Sequence, residues 1–488
     1  DSINGYIFKA HILSQLDRLE EALDNYKNAY IINPEHPLLL GYIVHTKSKG
    51  CNWKDFQKDI ETIKLNLENE KKVSIPFTAL TIFDSPHFQK KASEIWVKQF
   101  GVNHRKLNNF IKNKKKIRIA YFSADFRDHA VGNTIIGMLE SHDKSKFEIY
   151  GFYFGESVNE KDLIHKKIVN TFDKFINIKS MTDSEIADLS LELNIDIAVD
   201  LTTHTGTESR FGIFTQRCAP IQLNFLGYPG TSGSKSIDYI IADKTVIPKN
   251  NQKFYSEKIV YMPNSYHPIE SIKKISEKKF SRKELNLPEE KFIFCCFNSH
   301  QKITPSIFNI WINLLKKNSN SVLWLREFNK YSSKNIKLEA SKKGLDEKRI
   351  IFAKRLPLHE HLSRIKNADL FLDTFPYTAH STCSDVLRIG LPVLTCIGES
   401  FTSRVSASFL NTMMLPELIT TSYEEYEKLA NKIANNKNYL TNLKNKILEN
   451  KSKSSLYDIK LFTKNLEKAY FLMFEKYIKG EENNNIEI

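Results

Sequence analysis

Two series of short apolar runs, separated by stretches with helical periodicity, restrict what this chain can fold into. The first series holds residues 117–122, 147–153 and 195–200, with helix-forming stretches at 132–140 and from Asp183 onward, where a capping residue opens the turn. The second holds residues 292–297, 321–325, 350–352, 370–372 and 392–395. A parallel strand reaches its neighbour only by a long crossover, usually a helix, so such alternation predicts parallel sheets covered by helices. Two Rossmann-like halves follow, each with ligand loops at its strand ends and a cleft between the halves.

At 488 residues the chain exceeds what one core supports and is predicted to divide. The boundaries read as a helical hairpin over 1–35, a helical linker over 36–115, an N-terminal catalytic half over 116–285, and a nucleotide-binding half over 286–488 closed by helices from about 422. Hydrophobic residues make up 41%, enough for globular cores. No apolar run approaches the roughly 18 residues of a membrane helix, and no signal-peptide pattern opens the chain. The six cysteines are scattered, mostly inside apolar runs, without a Cys-x-x-Cys pair, and read as reduced core thiols of a cytoplasmic protein. A formal charge of +14 raises nucleic acid as a partner. The lysines are spread rather than striped along one element, so a solvated basic surface is the reading, and the basic run 112–116 is read as a solvated boundary.

Ala22, Tyr26, Ala29 and Pro34 fall at the spacing of the second helix of a tetratricopeptide repeat, and Ala10 and Leu13 suit its first helix. Such a hairpin cannot bury its apolar face alone, so the chain is expected to be the C-terminal part of a longer array.

Three loops carry the chemistry. Residues 226–233 place three glycines around Tyr228-Pro229, a loop whose backbone a ligand can approach. Residues 297–305 place Lys302 just before Ile303-Thr304-Pro305, where the proline suits a first helical turn. Residues 379–385 set His380, Ser381, Thr382 and Asp385 between an apolar strand and a helix start, a ready anion site. His129 follows the first strand, and His204 and Thr205 follow the strand ending at Asp200. His129 is a candidate base or orienting group, because imidazole titrates near neutrality; His204 also reads as a satisfied loop histidine. His359 and His361 lack a third ligand nearby, and no Asp-x-Asp pair occurs, so no metal is expected. The Gly-x-Gly-x-x-Gly fingerprint of dinucleotide enzymes is absent, which counts against a dehydrogenase.

These loops, with Ala219-Pro220-Ile221-Gln222, Tyr255-Ser256-Glu257-Lys258 and Arg404-Val405-Ser406-Ala407-Ser408, make the chain from about 117 to 476 resemble the catalytic region of the O-linked N-acetylglucosamine transferase and SPINDLY family. The hairpin sits where that family carries its tetratricopeptide superhelix. The resemblance implies a GT-B fold and an inverting, metal-independent glycosyltransferase without cofactor, moving N-acetylglucosamine from UDP-GlcNAc to Ser or Thr hydroxyls of proteins. A protein or peptide acceptor guided by the repeats is the implied partner, with neither nucleic acid nor membrane. Lys302 matches the essential lysine that neutralises the departing β-phosphate. His380, Ser381 and Thr382 match phosphate contacts, Asp385 the ribose carboxylate, and His361 the histidine beside the base. Thr205 matches a residue near the sugar, with Gly227, Tyr228, Pro229, Gly230 and Thr231 shaping the sugar pocket.

The chain departs from the animal pattern at Ser299, Gln301 and Leu358, where a glutamine, a tyrosine and a lysine stand in the family. Lys302–Pro305 and 373–377 are nearer the SPINDLY branch, which uses GDP-fucose, while His380 and Asp385 keep the uridine-type pattern. A protein O-fucosyltransferase and an Asn glucosyltransferase are the alternatives within the enzyme class. A repeat scaffold that binds nucleotide without turnover is the alternative outside it, and the retained Lys302 argues against that.

Overall fold

The computed structural model describes residues 2–101, 105, 114–159, 161–206, 209–271 and 273–488. The chain forms two compact units, residues 1–85 with 273–454 and residues 86–272 with 455–488.

The unit built on 86–272 contains strands β1 (Ile117–Ser123), β2 (Phe147–Tyr153), β3 (Lys174–Asn177), β4 (Ile197–Asp200), β5 (Ile221–Asn224), β6 (Tyr239–Asp243) and β7 (Lys258–Met262). They are ordered β3-β2-β1-β4-β5-β6-β7, with every pairing parallel. β4 is buried throughout and β1 everywhere but at Arg118, as expected of central strands of a parallel sheet covered on both faces. Phe122 stacks on Phe152 with ring centroids 4.5 Å apart, in a cluster completed by Phe211 and Phe214. The helix Asp183–Glu192 is capped one residue earlier than the acidic residue at its start: Thr182 accepts from the Glu185 N–H, and Glu185 reaches back in a capping box.

The other unit contains β8 (Phe292–Cys296), β9 (Ser321–Arg326), β10 (Ile350–Ala353), β11 (Leu370–Leu372), β12 (Val393–Cys396) and β13 (Ile419–Thr420), in the order β10-β9-β8-β11-β12-β13 and again all parallel. Both sheets therefore follow the doubly wound order 3-2-1-4-5-6. These are the two Rossmann-like components of the GT-B architecture.

The helical hairpin is Ile3–Gln15 and Leu19–Ile32. Ala10, Ala22 and Ala29 are fully buried, which lets the helices approach, and the Tyr26 hydroxyl meets His11 Nδ1 at 2.8 Å. Residues 36–85 are integral to this unit rather than a free linker. Asn335 donates to the Gly50 carbonyl at 2.8 Å, and Asp84 accepts from the Ser400 N–H at 2.9 Å and the Ser403 hydroxyl at 2.7 Å. The helix Pro86–Val97 belongs to the unit of β1–β7, as does the last helix, Ile459–Lys479, which leads to β14 (Ile486–Glu487) paired with β7. A buried polar chain fixes that last helix: His142 bridges the Tyr121 hydroxyl (2.9 Å) and Glu467 (3.0 Å), and Tyr121 meets Tyr470 at 3.0 Å.

Lys112 and Asn113 lie outside the described residues. Lys114 is not a solvated charge as the basic run implied, since its ammonium pairs with the buried Asp196 at 2.7 Å. All six cysteines are buried and free. Among the described residues no helix is long and apolar enough to cross a membrane.

Candidate active site

In a sheet of this order the sense in which strands are added reverses between the first and fourth strands, and ligands bind outside the carboxyl ends there. In the unit of β8–β13 those strands are β8 and β11, and the loops leaving them are the ones that carry Lys302 and His380. Asn298 joins the loops, donating to Asp373 Oδ1 at 3.0 Å and to the Thr374 hydroxyl at 2.8 Å. Asp373 Oδ1 also accepts from the N–H groups of Thr374 (2.8 Å) and Ala379 (2.7 Å), and Oδ2 from the Thr395 hydroxyl at 2.8 Å. One buried carboxylate thus sets the path of the 374–379 loop.

Lys302 ends a short 3₁₀ turn, after which Thr304 caps the helix Pro305–Lys317 and Pro305 fills the first turn. Its ammonium donates to the Thr378 carbonyl at 2.9 Å and lies 3.8 Å from the Tyr377 ring centroid. Desolvation pulls its pKa down to about 8, with the Asp373 charge pushing back. It therefore remains protonated at neutral pH. His380 occupies the N-cap of the helix Ser381–Arg388, its ring 4.9 Å from that of Tyr377. Ser381 and Thr382 open the helix, whose first N–H groups have no intrahelical acceptor and whose positive end favours an anion. Asp385, within the first turn and a half, is held by Lys273 at 2.7 Å, both side chains 13% exposed.

His361 sits on the helix Leu358–Arg364 and packs edge-on against Phe297, the residue after β8, at 4.9 Å. Arg364 Nε donates to its Nδ1 at 3.1 Å, so the ring proton is assigned to Nε2. Burial, then Arg364 and Arg326, pull its pKa down to about 3 and keep it neutral. His359 is held by its backbone, whose carbonyl accepts from the Ser276 N–H. Among the described residues no three His, Cys, Asp or Glu side chains gather in a metal-binding cluster.

In the other unit the corresponding strands are β1 and β4. His129 caps the helix Ala130–Glu140: its Nδ1 lies 3.3 Å from the Val131 N–H and 3.4 Å from Asp125 Oδ1, with the ring exposed. Without a proton Nδ1 accepts from Val131, and with one it donates to Asp125. Thr205 donates to the Thr202 carbonyl at 2.7 Å. Its loop hangs on Asp200, whose Oδ1 accepts from the N–H groups of Thr202 (2.9 Å) and Thr203 (2.8 Å) and whose pKa burial pushes up to about 6. His204 turns inward, 4% exposed, its Nε2 on the Ser232 carbonyl at 2.8 Å, and burial pulls its pKa down to about 4. It is held as a loop histidine.

The Gly227 loop passes so close to the loop after β4 that a Cβ at Gly227 would run into the Leu201 carbonyl oxygen. Its side chains point into the protein. Tyr228 is 1% exposed with its hydroxyl 3.1 Å from Ser93, Pro229 is buried, and Thr231 donates to the buried Glu257 at 2.6 Å. Asn224 holds the Gly230 carbonyl at 2.8 Å. A ligand meeting this loop would touch main chain.

Residues 51–278 and 270–466 match the sequence pattern of glycosyl transferase family 41. The chain belongs to that family. It is 30% identical over 473 residues to an Arabidopsis thaliana protein named "Probable UDP-N-acetylglucosamine--peptide N-acetylglucosaminyltransferase SEC", covering 91% of this chain and 48% of that protein. A Caenorhabditis elegans UDP-N-acetylglucosamine--peptide N-acetylglucosaminyltransferase is 25% identical over 482 residues, covering 76% and 42%. A Petunia hybrida protein named as a probable enzyme of the same kind, SPINDLY, is 27% identical over 402 residues, covering 80% and 42%. The chain spans about half the length, or less, of these relatives. A mutant of Thermobaculum terrenum O-GlcNAc transferase shares the fold, with a TM-score of 0.84 at 20% identity over 98% of this chain and 92% of that one.

Several family 41 side chains at these loops escaped the sequence reading. Lys273 and Arg364 stand in no recognisable pattern, Asp200 was visible only as the end of a strand, and Asp373 stood in the 373–377 family motif without a role. Glu257 lay inside a quoted family motif without a role, and the structure supplies one: its carboxylate receives the Thr231 hydroxyl and the Ser232 N–H, the latter at 2.6 Å.

Proposed function

We propose that this chain catalyses inverting transfer of N-acetylglucosamine from UDP-GlcNAc to Ser or Thr hydroxyls of proteins, without a metal or other cofactor. The observation that carries the reading is Lys302 on the loop after β8, its amino group hydrogen-bonded into the loop that leads to the N-terminus of Ser381–Arg388. Transfer breaks the bond between the anomeric carbon and the β-phosphate oxygen, and charge grows on that oxygen as the acceptor hydroxyl attacks. A fixed ammonium and a helix terminus neutralise such charge without reorganising. The names of the relatives support the donor and the peptide acceptor.

In this reading Ser381, Thr382 and His380 hold the pyrophosphate, Asp385 the ribose and His361 the base. Thr205 and the backbone of 227–231 belong to the sugar pocket, and His129 takes or orients the acceptor proton. The helical hairpin guides the acceptor. A cytoplasmic setting belongs to the same proposal, supported by six cysteines that all stay unpaired.

The test is transfer to a Ser/Thr peptide, with UDP-GlcNAc, UDP-Glc and GDP-Fuc compared as donors. UDP-GlcNAc is expected to give the highest kcat/KM. Preference for GDP-Fuc, or glycosylation of Asn, would replace this reading with one of its alternatives.

A further inference from the structure

We propose that Asp373 is the buried counter-charge of Lys302, a positioning residue that compensates the ammonium without capturing its protons. The inference rests on the role given to Lys302 above.

The geometry carries it. Each oxygen of Asp373 is already occupied: Asn298, Thr374 and Ala379 donate to Oδ1, and Thr395 donates to Oδ2. A carboxylate filled in this way is fixed in place and does not close a direct ion pair on the lysine. Lys302 instead spends a proton on the Thr378 carbonyl, one residue before Ala379, whose N–H is on Asp373. Thr378 is itself clamped, since its N–H and hydroxyl both donate to the Thr402 carbonyl, at 3.0 and 2.7 Å. The ammonium is thereby aimed from one side by a carbonyl and a ring face, with further N–H bonds left for a phosphate oxygen.

The charge balance agrees. The groups that act electrostatically on Lys302 are Asp373 and Cys296 of β8. The aromatic group against it is Tyr377, whose phenol burial holds neutral. Around Asp373 stand Cys296, Cys383 of Ser381–Arg388, Cys396 of β12 and Tyr426 of the helix Tyr423–Ala434, all pushed up by burial and so uncharged at neutral pH. Asp385, which acts on Cys383, already has Lys273 as its partner. Burial raises the Asp373 carboxyl too, opposed by hydrogen bonds from Ser406, Thr395, Ala379 and Thr374, and it is the carboxyl among these groups that can carry the compensating charge. Desolvation alone pushes a lysine far down, and an opposite charge within a few ångströms restores roughly one to three pH units.

Two measurements test it. In the unmodified chain, the pH dependence of Lys302 acetylation by acetic anhydride, read by mass spectrometry, is expected to give a midpoint near 8. A midpoint below 7 would mean an uncompensated lysine and would overturn the proposal. In Asp373→Asn, which keeps the shape and removes the charge, both that midpoint and the basic limb of the kcat profile should move to lower pH by about one unit or more. A folded variant with unchanged UDP affinity whose midpoint and limb both stay put would reduce Asp373 to a structural strut. Labelling needs no turnover, so it stands even if Lys302→Ala retains full activity and the role assigned to Lys302 fails.

Discussion

Lys273 and Asp385 form an ion pair at 2.7 Å inside the unit of β8–β13, each 13% exposed, so the carboxylate proposed to hold the ribose is already oriented by a partner 112 positions away in sequence. Removing Lys273 should therefore impair nucleotide binding although it belongs to no motif. Asp385→Ala is expected to cost about 1.5–3 kcal/mol of UDP affinity, the worth of a hydrogen bond to a charged group, and to raise the donor KM more than it lowers kcat. Lys273→Met should weaken UDP binding in the same direction. Calorimetric titration of both variants checks this, and unchanged affinity in Lys273→Met would separate the ion pair from the nucleotide.

Chelation gives a second prediction. With phosphate charge met by Lys302 and the terminus of Ser381–Arg388, turnover is expected to survive excess EDTA. Loss on chelation, restored by manganese or magnesium, would contradict that account.

A third prediction concerns acid. Burial lowers the pKa of His204 to about 4 and of His361 to about 3, against 6.5 for a free imidazole. The unfolded chain then binds the protons first as pH falls. Each ring contributes stability that is full above about 6.5 and is lost towards its folded value. Asp200, raised to about 6, acts in the opposite sense: the folded state takes its proton first, so its contribution shrinks as pH rises from 3.8 through 6. His204→Asn is expected to lose less Tm between pH 7 and pH 5 than the parent chain. Thermal scans at the two pH values read this directly, and an equal or larger loss in the variant would refute neutral burial of His204.

How much of this was written in the sequence differs by element. Long apolar runs announced β1, β2, β8 and β9, and a parallel strand buried on both faces reads that way because few polar residues interrupt it; Arg118 of β1 and Glu148 of β2 are exceptions that pair with each other. β3, β5, β6, β7, β13 and β14 went unrecognised. β13 and β14 have two residues each, too short for any periodicity. Lys302 and His380 were legible because their roles depend on local position, before a Pro-started helix and at a helix start. Lys273 and Asp373 were not, because their roles depend on contacts between distant segments, and one lysine among 71 basic residues carries no mark of its partner. The Gly227 loop was legible as backbone, but not the inward turn of Tyr228 and Thr231, which Ser93 and Glu257 decide.

The most direct test of the central claim is the single-turnover rate of Lys302→Ala with UDP-GlcNAc and a Ser/Thr peptide, measured beside its affinity for UDP. If the ammonium acts on charge that develops only as the sugar–phosphate bond breaks, the rate should fall by roughly 100-fold or more, as when an oxyanion donor is lost, while UDP affinity changes far less. An unchanged rate, or a loss confined to UDP binding, would contradict the account.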